Sequence, residues 1–412
     1  MNIAARSSPA GGFLSDGQQR HGAGMPSAAP RVTPRVELFD AFVATEPLWR
    51  RLASAQPLVT PYQSFAWINH WFDHVGRPSG VDPLVVAGLD GDGEPLFIIP
   101  LIREVRHGCT IARFCGGNHS NLNMAIWKSD IATDLTGPQV IDLLREVARA
   151  RDIDLFTLLG QPPSWRGVRN PFAMLPQQPS PDDVYTGALD PAGAQLAPKS
   201  AVRLPSGMRK KARKLEKLDG FRYFIAQTRS DVDRILAAFW PQKAARFAKQ
   251  GIHNVFDEPG VRDFIRSGCH DGVDEGRPAI ELHALEGGGD PLAIVGGVAT
   301  AERFSVMFNS ITDTDHARQS PGIILMAEII TACAKRGLTS YDLGAGYAAY
   351  KDYFCSGSAQ RFDSFIPFSV RGRLLAAACQ ASDALRRSLK TTPALMSALQ
   401  TIRRWTTGAG RA

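Results

Sequence analysis

A helix start in the last third of the chain has the residue types that bind anions. Ser320 precedes Pro321 and Gly322, and the apolar run that follows is typical of a helix buried against a sheet. Serine caps a helix by accepting a hydrogen bond from a backbone N–H, proline suits the first helical position, and glycine lets a ligand approach the backbone. The free N–H groups and the helix dipole then attract phosphate groups. We predict an anion site, with a plain helix cap as the alternative, formed by Arg318, Gln319, Ser320, Pro321, Gly322 and Ile323.

Polar side chains on neighbouring predicted strands are further candidates. Asp342 precedes a glycine-rich turn, where it would act as a base, orient a substrate or cap the amides of the turn. Lys351 would contact phosphate or substrate, or lie solvated at the surface. Asn309, near the end of the strand before the loop, is a candidate substrate ligand. Glu281 and His283 alternate on one strand and are candidate bases, although a structural role is the favoured interpretation.

A strongly basic segment, residues 209–217, has its apolar positions at helical spacing. The cations therefore occupy the remaining faces of a predicted helix. We predict that Arg209, Lys210 and Arg213 bind an anionic cofactor, glycan or RNA backbone, and a solvated helix face is the alternative. No aromatic residues interleave these cations, which argues against a platform for stacking single-stranded nucleic acid.

Composition limits the class of protein. The 412 residues are enough for two ordinary domains, and 44% hydrophobic with 21% charged residues is typical of a globular chain. The net charge of +7 favours an anionic partner without choosing one. Six scattered cysteines without zinc-type spacing predict reduced thiols in the cytoplasm and no metal site. We also expect neither a transmembrane segment nor a signal peptide.

The hydrophobic pattern predicts two similar α/β (α+β) modules. In each module a strand and helices precede a hairpin, and the two hairpin turns align without gaps, LDGDGEPL at 89–96 on LEGGGDPL at 285–292. The predicted organisation is a disordered arm (1–34), a first module (35–161), a linker (162–200), a second module (201–370) and a basic helical tail (371–412). Within the tail, residues 371–405 would contact an anionic membrane surface or a protein partner.

The order of strands around the Ser-Pro-Gly loop resembles the GNAT acetyltransferase fold, and the loop matches the place where that superfamily binds the pyrophosphate of CoA. Three motifs resemble the CelD/BcsL branch, whose members are described as cellulose or polysaccharide biosynthesis acetyltransferases: TPYQSF at 60–65, RKKARK at 209–214 and YDLGAG at 341–346. The first module has no Ser-Pro-Gly before its helix at Gly137, so we expect it to have lost CoA binding. Two fused modules also resemble the Fem-type transferases, which use aminoacyl-tRNA.

The resemblance implies tandem GNAT-like modules, each a mixed central sheet flanked by helices, and acyl transfer from acetyl-CoA or another acyl-CoA. The acceptor would be a hydroxyl or amine of a sugar, glycan precursor or related metabolite. Backbone N–H groups of the strand before the loop would hold the oxyanion, and Tyr350 resembles the tyrosine that protonates the leaving thiolate, unless it is a core aromatic. An aminoacyl-tRNA-dependent ligase and an inactive assembly or regulatory protein are the alternatives. We expect no nucleic-acid partner except tRNA in the first alternative.

Overall fold

The computed structural model describes residues 34–192, 204 and 207–391. The predicted N-terminal arm up to residue 33, part of the linker and the tail beyond residue 391 lie outside the described residues. The first half contains the following elements: β1 (Arg35–Phe39), α1 (Glu46–Ser54), α2 (Phe65–Trp71), β2 (Asp82–Leu89), β3 (Pro95–Arg106), β4 (Cys109–Phe114), β5 (Ile126–Trp127), α3 (Ser129–Asp134), α4 (Gly137–Arg151), β6 (Leu155–Gln161), β7 (Ser164–Trp165), β8 (Val168–Arg169), β9 (Gln178–Pro179) and β10 (Val184–Ala188).

The second half repeats the same succession of elements. It contains the following: α5 (Met208–Leu215), β11 (Arg222–Ile225), α6 (Arg229–Gln250), α7 (Val261–His270), β12 (Glu281–Gly287), β13 (Asp290–Ala299), β14 (Arg303–Ile311), α8 (Pro321–Lys335), β15 (Ser340–Ala345), β16 (Gly357–Ala359), β17 (Phe362–Pro367) and α9 (Val370–Thr391). In both halves one strand and two helices precede three antiparallel strands, which a helix and a parallel strand follow. The first half has β5 and α3 in addition, between β4 and α4.

Two large sheets with the same connectivity form the centre of the molecule. In the described chain the first sheet has the order β1-β2-β3-β4-β6-β17-β9, with β5 paired to β3, and the second has the order β11-β12-β13-β14-β15-β10-β16. The pairs β4 with β6 and β14 with β15 are parallel, while their neighbours are antiparallel. This repeated topology confirms the predicted fold of two similar mixed sheets flanked by helices.

The strand next to the end of each sheet comes from the other half of the chain. β17 pairs antiparallel with β6 in the first sheet, and β10 pairs antiparallel with β15 in the second. The segment predicted as a linker (162–200) therefore supplies a strand to the second sheet, and the end of the predicted second module (201–370) supplies one to the first. The module boundaries stay a prediction, but the two sheets exchange strands across them. The sequence did not predict this exchange because both pairings are long-range and leave no local pattern.

The hairpins form where the glycine-rich turns predicted them. Between β12 and β13, Gly288 and Gly289 both have positive φ, 68° and 90°, as a two-residue turn between twisted strands requires. Between β2 and β3 the loop is longer, and Asp90 accepts hydrogen bonds from the amides of Asp92 and Glu94. The turns therefore differ in length although their sequences align.

A shared hydrophobic core joins the two halves. The indole of Trp67, on α2, packs edge-on against Phe264, on α7, with 5.3 Å between ring centroids. Both side chains are buried, so helices of the two halves cover one another. Among the described residues, no helix combines the length and the apolar character that crossing a bilayer requires.

Candidate functional site

The helix α8 begins at the predicted Pro321, but its first turn differs from the prediction. Ser320 adopts the left-handed conformation (φ 56°, ψ 50°), and its side chain does not cap the helix. The prediction of a serine cap is therefore wrong, because the Ser320 hydroxyl instead accepts a hydrogen bond from Lys211 Nζ at 2.9 Å. The Ser320 carbonyl accepts from the Ile323 amide at 3.1 Å, so the candidate cradle centres on the amide of Gly322.

The basic helix α5 lies directly beside this helix start. Its residues contact both α8 and the 3-10 turn Asp315–Gln319, while Ala212 and Leu215 are buried beneath it. Arg209, Lys210 and Arg213 are exposed, and none has an ion-pair partner in the described part of the chain. The structure therefore brings the two predicted anion-binding segments together and leaves positive charge beside the start of α8.

Arg318, in contrast, points into solvent. It lies 3.4 Å from the carboxylate of Asp315, and both side chains are more than four-fifths exposed. Such an exposed pair contributes little to stability, so Arg318 remains free to reorient toward a ligand. Gln319 completes the 3-10 turn that leads into α8.

The strands β14 and β15 separate next to this helix. They pair in parallel only over Arg303–Ser305 and Ser340–Asp342, although β14 continues to Ile311 and β15 to Ala345. A β-bulge at Met307, where the register with β13 shifts, bends β14 at the point of separation. The diverging backbones leave a wedge-shaped gap, which we call the splay.

A residue of the first module bridges the splay. The side-chain amide of Asn121 donates to the Val306 carbonyl on β14 at 3.0 Å and to the Tyr62 hydroxyl at 2.8 Å. Its oxygen accepts from the amide of Ala345, on β15, at 3.3 Å. Asn121 thus uses both donors and an acceptor to tie the separated strands together, and it closes the narrow end of the splay.

Asp342 lies at the same end, where it is 0% exposed. Its carboxylate accepts hydrogen bonds from the hydroxyl of Ser305 and, at 3.1 Å, from the amide of Gly344. Burial raises the pKa of Asp342, and these hydrogen bonds with the charge of Arg303 offset part of the rise. The geometry matches the turn-capping alternative that the sequence left open.

Lys351 is only 4% exposed and holds the turn after β15. Its ammonium donates to the carbonyls of Gly344, Ala345 and Gly346 at 2.9, 3.3 and 2.7 Å. Three carbonyl acceptors match the three N–H donors of an ammonium group. Lys351 is therefore committed to backbone groups, and a direct contact with phosphate or substrate would require those bonds to break.

Tyr350 and Asn309 meet at the open end of the splay. Burial raises the pKa of the half-buried Tyr350 phenol, and a hydrogen bond with the side chain of Asn309 offsets part of this effect. A phenol with a raised pKa stays protonated at neutral pH, which an acid for a leaving thiolate requires.

Lys243, on α6, joins this pair and was not predicted. Its ammonium donates to the Asn309 carbonyl at 3.0 Å and lies 4.7 Å from the ring centre of Phe247. Burial lowers the pKa of Lys243 to about 8, and the charge of Arg246 adds to the effect. The sequence gives no signal for this lysine because it lies within a helix that carries many other cations.

Glu281 and His283 belong to a different cluster. Arg336, at the C-terminal end of α8, donates to both oxygens of Glu281 at 2.7 and 2.6 Å, and Tyr223 hydrogen-bonds His283. Burial raises the pKa of Glu281, but hydrogen bonds from His283 and Arg336 outweigh it and lower the value to about 2. The 15-residue helix places this cluster about 22 Å from Pro321, so both residues are structural.

The equivalent helix of the first module begins in a different way. Thr136 and Gln139 form a capping box at the start of α4, and the Gln139 oxygen accepts from the Thr136 amide at 2.9 Å. The Gln139 side chain therefore occupies the backbone N–H of the residue that precedes this helix. The expectation that the first module has lost CoA binding stays a prediction.

The second half of the chain thus combines a splayed parallel strand pair with a helix start that lacks a side-chain cap, and the first half repeats the order of the sheet. Residues 203–352 match the family described as "Acetyltransferase (GNAT) domain". The match supports an acyltransferase that uses an acyl-CoA. Among curated protein sequences, none matches this chain significantly.

Solved structures with TM-scores of 0.50 and 0.51 share this fold at low sequence identity, and a further match has a lower score. A conserved protein of unknown function from Bacteroides thetaiotaomicron VPI-5482 is 12% identical with a TM-score of 0.50, over 81% of this chain and 100% of that chain. FemX is 10% identical with a TM-score of 0.51, over 80% and 97%. A tandem GNAT protein from the clavulanic acid biosynthesis pathway is 11% identical with a TM-score of 0.42, over 81% and 98%.

The sequence missed the residues of the first module that complete the site. Tyr62 lies in the TPYQSF motif, which pointed to a family without assigning a role, and Asn121 lies in an irregular segment without a motif. Only the packing of the modules brings them to the splay. Among the described residues, no three His, Cys, Asp or Glu side chains come together in a way that could hold a metal ion.

Proposed function

We propose that this protein transfers an acyl group, acetyl as the expected case, from acyl-CoA to a hydroxyl or amine of a sugar, polysaccharide precursor or related metabolite in the cytoplasm. The observation that carries the proposal is the splay between β14 and β15, next to a helix start without a side-chain cap. Beside it lie the exposed cations Arg209, Lys210 and Arg213 of α5, which form no ion pair with the residues that the structure describes. The same features support assignment to the CelD/BcsL branch, because the segments that resemble this branch, at 209–214 and 341–346, form most of α5 and most of β15 at this site.

Each chemical requirement has a candidate group. The acceptor oxygen or nitrogen forms a bond to the thioester carbon while the carbon–sulfur bond breaks, and backbone N–H groups of β14 beyond Val306 stabilise the oxyanion. Tyr350 supplies the proton that the leaving thiolate takes up. Lys243, with a pKa near 8, is partly neutral at slightly alkaline pH and is the candidate base for the acceptor proton. The cations of α5 and the amide of Gly322 hold the phosphates.

Calorimetry with acetyl-CoA tests the donor site. The triple variant Arg209→Glu, Lys210→Glu, Arg213→Glu removes three exposed cation–phosphate interactions, each worth roughly 0.5–1 kcal/mol, so affinity falls about tenfold to a hundredfold at low salt. The double variant Arg371→Glu, Arg373→Glu is the matched control, because these arginines are equally exposed but lie on α9. Unchanged affinity in the triple variant would contradict the proposed site.

Aminoacyl-tRNA is the second candidate donor, because exposed cations that pair with no carboxylate in the described part of the chain would also hold an RNA backbone. The same variants separate the two donors. The donor is aminoacyl-tRNA if the wild-type protein binds tRNA with a steep salt dependence but does not bind acetyl-CoA. The triple variant should then lose the tRNA binding. Release of free CoA thiol in the presence of an acceptor establishes acyl-CoA.

A further inference from the structure

A cavity of about 460 Å³ lies where the two modules exchange strands. Its wall contains Val184 of β10, Ala359 of β16 and Arg361, just before β17. The hairpin β7–β8 of the first module contributes Trp165 and Arg166. The volume is within the range of small-molecule sites, so a small metabolite would fit between the modules.

This cavity is separate from the splay. β14 and β15 reach it at their first residues, Arg303 and Ser340, which are register partners in the part where the two strands are still paired. Asn309, which meets Tyr350 at the open end of the splay, lies six residues further along β14. A rise of about 3.3 Å per residue makes this separation roughly 20 Å. A ligand in the cavity would therefore not compete with the acyl donor for space.

Arg303 presents free hydrogen-bond donors in this wall. It is half-buried, and its guanidinium carbon lies 4.6 Å from the ring centre of Trp165. Its Nε donates to the hydroxyl of Ser340 at 3.0 Å, whereas its two terminal nitrogens donate no hydrogen bond to the residues that the structure describes. The guanidinium is therefore fixed in place while part of its fork of donors stays available to a ligand.

The other arginines of the described chain that lie over an aromatic ring each pair with a carboxylate. They are Arg77 with Asp73, Arg222 and Arg234 with Glu286, and Arg262 with Asp257. Arg303 differs, because no carboxylate of the described residues lies within ion-pair distance of it. Burial lowers the pKa of Arg303, and the charges of Asp342 and Glu302 offset part of this effect. A desolvated cation without an ion-pair partner is costly, so an anionic ligand would stabilise it.

The remaining charged groups of the wall leave it positive. Arg166 pairs with Glu302 at 3.0 Å. Arg361 donates from Nε and Nη1 to two backbone carbonyls at 2.9 and 2.7 Å, and these acceptors carry no net charge. The lining therefore has three arginines against one carboxylate, and an anion is attracted to it.

We propose that this cavity binds a small ligand through a carboxylate or phosphate group that accepts hydrogen bonds from the terminal nitrogens of Arg303. The planar guanidinium presents its donors in a geometry that matches two oxygens of either group. Trp165 fixes the plane of the guanidinium, and the charge of Arg361 adds to the attraction. The site takes an anion in addition to the acyl donor, and it does not depend on the proposed acyl transfer.

Fluorine NMR of the full chain labelled with 5-fluorotryptophan tests the inference, because Trp165 lies against Arg303 and reports on this cavity. Trp165→Phe identifies its signal among those of the seven tryptophans. The probes are inorganic phosphate, succinate and the neutral analogue succinamide at millimolar concentration. We expect at least one anion to shift the Trp165 signal in a saturable way and succinamide to leave it unchanged. A shift with phosphate alone assigns a phosphate-bearing ligand, and a shift with succinate alone assigns a carboxylate-bearing one.

Two substitutions locate the anion. Arg303→Gln removes the charged donors and should weaken binding at least about tenfold. Gln360→Glu adds a negative charge to an exposed part of the wall, keeps every arginine and should weaken binding about 2- to 5-fold at low salt. The matched controls leave binding unchanged: Arg222→Gln changes an arginine that lies over Phe224 outside the cavity, and Gln250→Glu changes an exposed glutamine at the end of α6.

Several results would overturn the inference. A Trp165 signal that responds to neither anion excludes the site, and an equal response to succinamide shows that recognition does not depend on charge. Equal saturation in the wild type, Arg303→Gln and Gln360→Glu places the anion elsewhere. If the response is lost in the α5 triple variant, which also weakens acetyl-CoA, the anion binds at the donor site instead. Normal acetyl-CoA binding without any Trp165 response overturns this inference and leaves the proposed function intact.

Discussion

Removing the side chain that bridges the splay should destabilise the protein in a measurable way. Asn121→Ala deletes hydrogen bonds to Tyr62, Val306 and Ala345, and Tyr62 is completely buried. Each neutral hydrogen bond contributes about 1 kcal/mol, which gives about 3 kcal/mol for the three. Because Asn121 lines an open cavity of about 660 Å³, water can reach the vacated groups, and we expect a loss of about 2–3 kcal/mol.

Urea unfolding followed by circular dichroism measures this loss. Asn123→Ala is the matched control, since the same substitution two residues later removes one hydrogen bond, to Leu159, and should cost about 1 kcal/mol. Acetyl-CoA affinity measured on both variants shows whether the bridge also sets the width of the splay. If Asn121→Ala is no more destabilising than Asn123→Ala, the bridge does not hold β14 and β15 together and the reasoning fails.

Two further variants test buried lysines. Lys351→Met leaves three carbonyls without a donor and should lower the unfolding free energy by about 2–4 kcal/mol. The control Lys210→Met, at the exposed surface, should change the unfolding free energy by less than about 0.5 kcal/mol. Equal urea midpoints for the two variants would contradict the role given to Lys351. For Lys243, the folded protein releases the proton near pH 8 and the unfolded chain near 10.5, so the unfolded state binds more protons between these values and stability rises with pH there. Lys243→Met lacks this gain. Between pH 8 and 10.5 the unfolding free energy of the wild type should therefore rise by roughly 3 kcal/mol relative to that of the variant. A difference that stays constant with pH would show that the pKa of Lys243 is not lowered.

Local patterns predicted most of the elements. The helix α4 begins at Gly137 as predicted, the hairpin turns follow their glycines, and α8 begins at Pro321 as its sequence indicates. The burial of Ala212 and Leu215 beneath the cations of α5 also follows from helical spacing. These features depend on residues close in the chain, which a periodic pattern records directly.

Contacts between distant residues escaped the same reasoning. Nothing local distinguishes Lys351, which binds three carbonyls inside the molecule, from a solvated lysine. The left-handed conformation of Ser320 depends on the turn before it and on Lys211, more than a hundred residues earlier. Asn121 could not be recognised because its partners are distant in the chain. They are Tyr62, in the turn before α2, and two strands of the other module.

The crossed strands make the two modules inseparable. A chain cut between residues 192 and 204 would leave β6 without β17 and β15 without β10, so each fragment would expose an unsatisfied strand edge. Such edges invite association with other chains, and the two fragments would need each other to fold. Because each module completes the sheet of the other, neither module could be removed without leaving its neighbour an open strand edge.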